Sequence, residues 1–337
     1  MTTERSLITS EVDFDKDGRQ TGFLRLPHSV HRSAYGWIPI PIVSIKNGEG
    51  PTILLMSGNH GDEYEGQVAL SKLCRTLQSD RIQGRVVILP MANFPAARAG
   101  LRTSPIDDGN LNRSFPGDPV GGPTQMIAHY IETELMPRCD YAVDIHSGGS
   151  SLNYLPTALA ARHDDPVQEA KIRALALSFG TPYCFVFPGG MGSFRTTTGA
   201  ARRNNVIAMG TELGGVGTVS PAMLAYAEQG VRRVLVHCGM LSAEDAEPAS
   251  GATRLMEATG MDYYVYAPDD GVFEPMADLG DEVAAESAAG IVHFLETPWL
   301  EPSPVQFNCT GMIICKRIPG RVMRGDCLYH LATDLAS

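Results

Sequence analysis

The sequence predicts an α/β fold with a mostly parallel or mixed sheet, followed by a smaller β-rich region. Three observations predict it. Apolar runs at 52–57, 85–91, 141–145, 183–187 and 206–209 read as buried strands. Helical patterns lie between them, near 65–79, 122–136, 166–179 and 221–242, and such alternation is the mark of an α/β domain. Beyond 245 the texture changes to short strand-like runs at 263–267, 291–295 and 311–315, broken by turn signals such as Asp269-Asp270-Gly271 and Pro319-Gly320.

The texture changes around 245–260, and the polar passage "SAEDAEPASGATR" (242–254) reads as a linker. Two units are therefore expected: a catalytic α/β domain over 1–245, with an N-terminal β extension, and a β-sandwich-like domain over 246–337. Within the second, "GVFEPMADLGDEVAAES" is similar to lipoyl- and biotinyl-type β-sandwich patterns. No lysine stands at a hairpin tip to carry a prosthetic group, so the expected role is to shape or cover an active-site mouth.

Composition narrows the function classes. The chain has 337 residues, 43% hydrophobic and 19% charged, which suits a globular enzyme with a large core. A net charge of −11 argues against a nucleic-acid backbone and an anionic membrane as partners. The 7 cysteines are scattered, with no C-x-x-C pair, and read as reduced thiols in a cytoplasmic setting. The opening "MTTERSLITSEVDFDKDG" lacks the apolar segment of a leader peptide, and no run is long enough for a membrane span.

The chemistry begins where the first apolar run ends, in "GNHGDEYEG" (58–66). His60 and Glu63 form an H-x-x-E pair, and so do His129/Glu132 and His293/Glu296. Context separates them. His129 and Glu132 fall opposite the apolar stripe Ile127, Tyr130, Ile131 and Leu135, on an expected solvated face. His293 and Glu296 sit in "GIVHFLE", whose strand pattern sends residues three apart to opposite faces. His60 instead occupies a glycine-flanked turn at the carboxyl end of a buried strand, where open α/β sheets gather ligands. Against this stands the plain alternative that Asp62, Glu63 and Glu65 are helix N-terminal charges.

A third donor decides between them. "YAVDIHSGG" (141–149) is another buried strand, ending in His146, with Asp144 on the same face to orient an imidazole, whether that of His146 or of His60. Two histidines and one glutamate leave a position open for water, the pattern of catalytic zinc. Between these motifs, the loop 98–117 carries Arg98, Arg102 and Arg113, suited to holding a carboxylate or polarising a carbonyl. Glu212, in "VIAMGTELGG" (206–215), follows a strand in the same way, and a carboxylate there can act as general base or simply be solvated. Neither Gly214-Gly215-Val216-Gly217 nor Gly189-Gly190-Met191-Gly192 is a phosphate loop, because no Lys-Ser/Thr follows.

Taken in order, "GNHGDEYEG", "GNLNRSFPG", "DIHSGG" and "TELGG" resemble the succinylglutamate desuccinylase/aspartoacylase family, over about residues 45–240. The wording "RTSPIDDGNLNRSFPG" is most similar to the branch that deacetylates N-acetyl-L-2,4-diaminobutyrate in ectoine breakdown. The resemblance implies a zinc-carboxypeptidase-like α/β/α sandwich with a mixed sheet and a small C-terminal β domain. It implies one zinc ion per subunit on His60, Glu63 and His146, with Glu212 as general base and acid. Arg102 would polarise the acyl carbonyl, and Asn112 and Arg113 would clamp the substrate's α-carboxylate. The Arg102-to-Arg113 gap is longer than the aspartoacylase pattern, a departure that bears on Arg102. Family members are often oligomeric, so a homo-oligomer, foremost a dimer, is expected.

The expected reaction is hydrolysis of the acetyl amide of N-acetyl-diaminobutyrate. Its free amine calls for an acidic subsite, with Asp107 and Asp108 as candidates. The rivals are an aspartoacylase or desuccinylase specificity, a carboxypeptidase, and a non-catalytic relative that binds a metal or an amino-acid derivative.

Overall fold

The chain builds one large mixed sheet with helices on both faces and a second, smaller sheet near its C-terminus. The computed structural model describes residues 5–189 and 193–336. Residues 1–4 and 337, and Gly190, Met191 and Gly192 of the glycine cluster, lie outside the described residues.

The first strands are β1 (Thr9–Ser10), β2 (Gly18–Pro27), β3 (Trp37–Asn47) and β4 (Thr52–Ser57). Then come α1 (Tyr64–Thr76), β5 (Gly84–Leu89), α2 (Phe94–Ala99), α3 (Pro123–Tyr130), β6 (Tyr141–His146) and β7 (Leu152–Ala161). They are followed by α4 (Pro166–Phe179), β8 (Tyr183–Phe187), α5 (Thr197–Arg203), β9 (Ile207–Gly215) and α6 (Pro221–His237). The remainder is β10 (Arg254–Glu257), β11 (Tyr264–Tyr266), β12 (Gly271–Pro275), β13 (Glu282–Val283) and β14 (Ala288–His293). It closes with β15 (Ser303–Gln306), β16 (Gly311–Arg317), β17 (Arg321–Val322) and β18 (Cys327–Asp334).

The large sheet runs β1-β2-β3-β5-β4-β6-β9-β7-β8-β10-β18-β16-β13, with β11 on β18. Its centre, β5-β4-β6-β9, is parallel. These strands are buried on both faces and alternate between two cores, as a period of two requires. Ile53, Leu55, Val143 and Ile145 pack with Leu70 of α1, Leu175 of α4 and Val231 of α6. Leu54, Met56 and Ala142 pack on the other side with Ile127 of α3 and Ala200 of α5. Each such aliphatic side chain contributes roughly 1.5–3 kcal/mol when fully buried. The parallel centre sends the carboxyl ends of β4, β6 and β9 to one edge, and that edge holds the site.

Two glycines set how tightly α1 seats there. A Cβ on Gly66 would stand 2.8 Å from side-chain carbons of Ile145 and Ser57, and one on Gly61 would stand 2.1 Å from the Ala96 carbonyl. Only glycine lets the start of α1 lie this close to β4, β6 and α2.

Several sequence expectations change. The passage read as a linker ends at Arg254, the first residue of β10, a strand that pairs in parallel with β8 and antiparallel with β18. Leu152–Tyr154 of β7 also pairs with β16, so the large sheet runs straight across residues 245 and 246. The C-terminal region nevertheless has its own core, where Phe273, Val292 and Phe307 meet Ile313, Tyr329 and Leu331. The strand expected at 206–209 continues to Gly215, because β6 and β7 hold it on both sides. Helix α6 stops at His237 rather than 242, and the helix expected to 136 passes into a wider turn at Ile131–Leu135.

His129 and Glu132 are not solvated; both are buried. The loop at Gly117 packs on the His129 backbone, and Glu132 accepts hydrogen bonds of 2.6 and 2.7 Å from Arg203 of α5. The strand containing His293 ends there, leaving Glu296 in a turn, and the His293 imidazole pairs at 2.6 Å with Glu274 on β12. All seven cysteines are free. Among the described residues, no helix is long and apolar enough to cross a membrane.

Candidate metal centre and active site

His60 follows β4 in the turn Gly58–Gly61, Glu63 immediately precedes α1, and His146 is the last residue of β6. All three are buried, and their ligand atoms lie within 4.8 Å of one another. Nδ1 of His60 is 2.6 Å from Glu63 Oε1, and Nδ1 of His146 is 2.7 Å from Glu63 Oε2. The outer nitrogens are held separately: His60 Nε2 faces Asn110 Oδ1 at 3.2 Å, and His146 Nε2 faces Asp144 Oδ2 at 2.9 Å. Asp144 thus serves His146, the point that spacing left open. Asn110, inside the quoted motif but given no role from sequence, does the same for His60.

Charge in this cluster seeks a cation. Burial works against ionising Glu63, yet the imidazoles of His60 and His146 hold its carboxyl well below the ordinary range. Burial likewise opposes charge on His146, but Asp144 and Glu63 push its pKa well up. Asp144 stays below its ordinary value despite burial, through His146 and the donors Asn59 and Thr197. Two inward nitrogens, a carboxylate between them and an acceptor behind each ring fit a divalent ion with an open position. Among the described residues, this is the sole group of at least 3 His, Cys, Asp or Glu side chains so arranged.

Glu212 stands beside His146 in register on the neighbouring parallel strand. It lies within β9 rather than past its end. Oε2 is buried and has no hydrogen-bond partner among the described residues. Burial first, and then the Glu63 charge, raise its carboxyl well above the usual range.

The arginines divide. Arg98, in the last turn of α2, is exposed and lines a separate groove. Arg102 Nη1 lies 3.6 Å from Glu63 Oε1, at the centre itself. Arg113 sits next to Asn112 in a short turn; burial and the neighbouring Arg102 lower its pKa. Among the described residues, no carboxylate lies within ion-pair distance of Arg113. Asn112 is anchored by the Thr197 N–H on its carbonyl at 3.0 Å, and its amide nitrogen is 3.4 Å from His146 Nε2.

A cavity of about 670 Å³ adjoins Asn112, Arg113, Asp144 and His146 and reaches Met261 and Tyr264. Neither acid expected to form the amine subsite lines it. Asp107 accepts the backbone N–H and the hydroxyl of Thr124 at the start of α3, both at 2.8 Å, and Asp108 is exposed.

Comparison with known proteins places these residues in context. Residues 49–238 match the succinylglutamate desuccinylase/aspartoacylase catalytic domain model. The chain is 40% identical over 333 residues to an N-alpha-acetyl-L-2,4-diaminobutyric acid deacetylase of Halomonas elongata, covering 98% of this chain and 96% of that one. The product-bound structure of the ectoine utilization protein EutE (DoeB) from Ruegeria pomeroyi superposes with a TM-score of 0.94 at 40% identity, over 98% of this chain and 99% of that one. A succinylglutamate desuccinylase/aspartoacylase structure from Rhodobacter sphaeroides gives 0.92 at 38% identity, over 98% and 100%.

Proposed function

The chain belongs to the succinylglutamate desuccinylase/aspartoacylase family, and from that premise we propose that it hydrolyses N-acetyl-L-2,4-diaminobutyrate, acetylated on its α-amine, to acetate and L-2,4-diaminobutyrate. The observation that carries this reading is the likeness to the Halomonas deacetylase over nearly the whole of both chains. The architecture we assign is the zinc-carboxypeptidase-like α/β/α sandwich with an appended β region. That region, 246–337, lends Met261 and Tyr264 to the cavity wall.

We assign zinc to His60, Glu63 and His146, where a divalent ion supplies Lewis acidity and lowers the pKa of a water from about 15.7 toward about 7. The protein's own groups do the rest. Glu212 takes the proton of the attacking water and returns it to the leaving nitrogen; its buried, upshifted carboxyl suits both halves of that exchange. Arg102 offers N–H donors to the carbonyl oxygen as it gains negative charge, a contribution of roughly 3–4 kcal/mol in comparable sites. Arg113, with Asn112 beside it, receives the α-carboxylate. The seven free cysteines fit a reducing, cytoplasmic compartment.

The test is amine release from a panel of N-acylated amino acids, with and without chelator. N-acetyl-L-2,4-diaminobutyrate should lead, and chelation should abolish turnover. Preference for N-acetylaspartate or a succinylated substrate would replace this reading with the other family specificity.

A further inference from the structure

The cavity beside the site has a distribution of charge that amide hydrolysis alone does not require. Among its described lining residues Arg113 is the only Lys or Arg, and Asp144 the only Asp or Glu. Between and beyond them the wall is apolar, as at Leu159, Phe187 and Met209, or carries the hydroxyls of Thr196, Thr197 and Thr198.

Asp144 is buried, with the Thr197 hydroxyl near its carboxylate and its close hydrogen bonds all on one oxygen. Oδ2 accepts from Asn59 Nδ2 and pairs with His146 Nε2, both at 2.9 Å, whereas Oδ1 is buried with no hydrogen-bond partner among the described residues. A buried carboxylate oxygen without a donor is costly, so a ligand that brings a donor gains what the free protein lacks.

We propose that Asp144 Oδ1 receives the free ammonium group of the substrate while Arg113 holds its carboxylate. The cavity thereby selects N-acyl amino acids with a short cationic side chain. This rests on the deacylase reading and assigns the residue that sets its preference for a cationic side chain. The same carboxylate repels an aspartate-type side chain, so one residue both attracts the diamino acid and rejects the dicarboxylate. Asp144 then has two roles, one oxygen orienting His146 and the other reading the substrate.

The experiment uses the zinc-loaded full-length chain and two isosteres: L-2,4-diaminobutyrate and L-norvaline, in which a methyl group replaces the ammonium. Each is measured as a product by calorimetric binding, and as its N-acetyl derivative by kcat/KM. Wild-type protein should favour the cationic member by about tenfold or more in both readouts. Asp144→Asn should slow both substrates, because the amide supports His146 less well, and should bring the cationic-to-neutral ratio close to one. A purely structural Asp144 scales both members alike, so an unchanged ratio in the variant overturns the proposal. Equal treatment of the two by wild-type protein overturns it as well, even if the variant fails to fold. Should wild-type protein bind with the stated preference yet hydrolyse no N-acetyl amino acid, the subsite stands and the hydrolase reading falls.

Discussion

Replacing Glu212 with Gln removes one proton acceptor and almost nothing else. The amide keeps the shape of the side chain within β9, and the unpartnered Oε2 has no hydrogen bond to lose. Burial already pushes this carboxyl toward its neutral form, so a neutral replacement should leave the melting temperature unlowered. The proposed metal donors are His60, Glu63 and His146, so metal content should not change. Turnover should change greatly. A positioned general acid–base contributes about 10²–10⁴-fold, which corresponds to roughly 2.7–5.4 kcal/mol of barrier at about 1.36 kcal/mol per decade. Because the role proposed for Glu212 is to handle the proton and not to hold the α-carboxylate, the loss should fall on kcat, with KM nearly constant. The assay is steady-state amine release alongside metal analysis of the same preparation. If the Gln variant keeps more than about a tenth of wild-type kcat, Glu212 is not the base. If it loses metal instead, Glu212 belongs to the ion's support.

Other expectations follow from the same geometry. His146→Ala should empty the centre and remove the stabilisation that a bound ion gives the folded chain, read as loss of the chelator-sensitive shift in melting temperature. Gly66→Ala places a Cβ 2.8 Å from side-chain carbons of Ile145 and Ser57 and lifts α1 off the sheet; chemical denaturation should show a loss of about 1–3 kcal/mol, with weaker metal binding because Glu63 leads into that helix. Burial lowers the His330 pKa to about 3. The unfolded chain therefore binds a proton near pH 6.5 that the folded chain refuses. Stability is complete above that value and falls by about 1.4 kcal/mol per unit as pH drops from 6.5 toward 3. His330→Phe should flatten that slope in denaturation measured across the range.

The site was more legible than its surroundings. His60, Glu63 and His146 each stand where a strongly apolar strand meets glycines, and that junction is written locally. Asp144 could be placed near the centre from its spacing of two, but the choice of imidazole needed the third dimension. Glu212 was visible as a carboxylate after an apolar run, although its strand continues around it because β6 and β7 pair there. The solvated reading of His129 and Glu132 failed because periodicity shows which face avoids the nearest core, not what covers the other face. A distant arginine, Arg203, covers this one. Strand β7 passed unseen for a different reason: "LNYLPTALAA" contains a proline and small residues, so pairing rather than propensity makes it a strand. Strand β10 was missed similarly, since its four residues gain strand form from β8 and β18 on either side.

The acidic burst after β4 does more than supply one ligand. The plain alternative makes Asp62 and Glu65 charges set against a helix dipole, which needs only proximity to the start of α1. Both are instead buried, and each takes a donor from another loop. Asp62 accepts the backbone N–H of Ser150 at 2.8 Å and its hydroxyl at 2.7 Å, holding the segment that follows His146. Glu65 receives the N–H of Ser220 over a longer 3.4 Å, where the chain leaves β9 and enters α6. Glu63 lies between them and faces both imidazoles. Within four residues, three carboxylates therefore tie the turn after β4 to the segments that follow β6 and β9. A dipole explanation would let Asp62→Asn and Glu65→Gln pass almost unnoticed at high salt, whereas loop anchoring makes Asp62→Asn weaken metal binding at any ionic strength, because the carboxylate that fixes the chain just beyond His146 is gone.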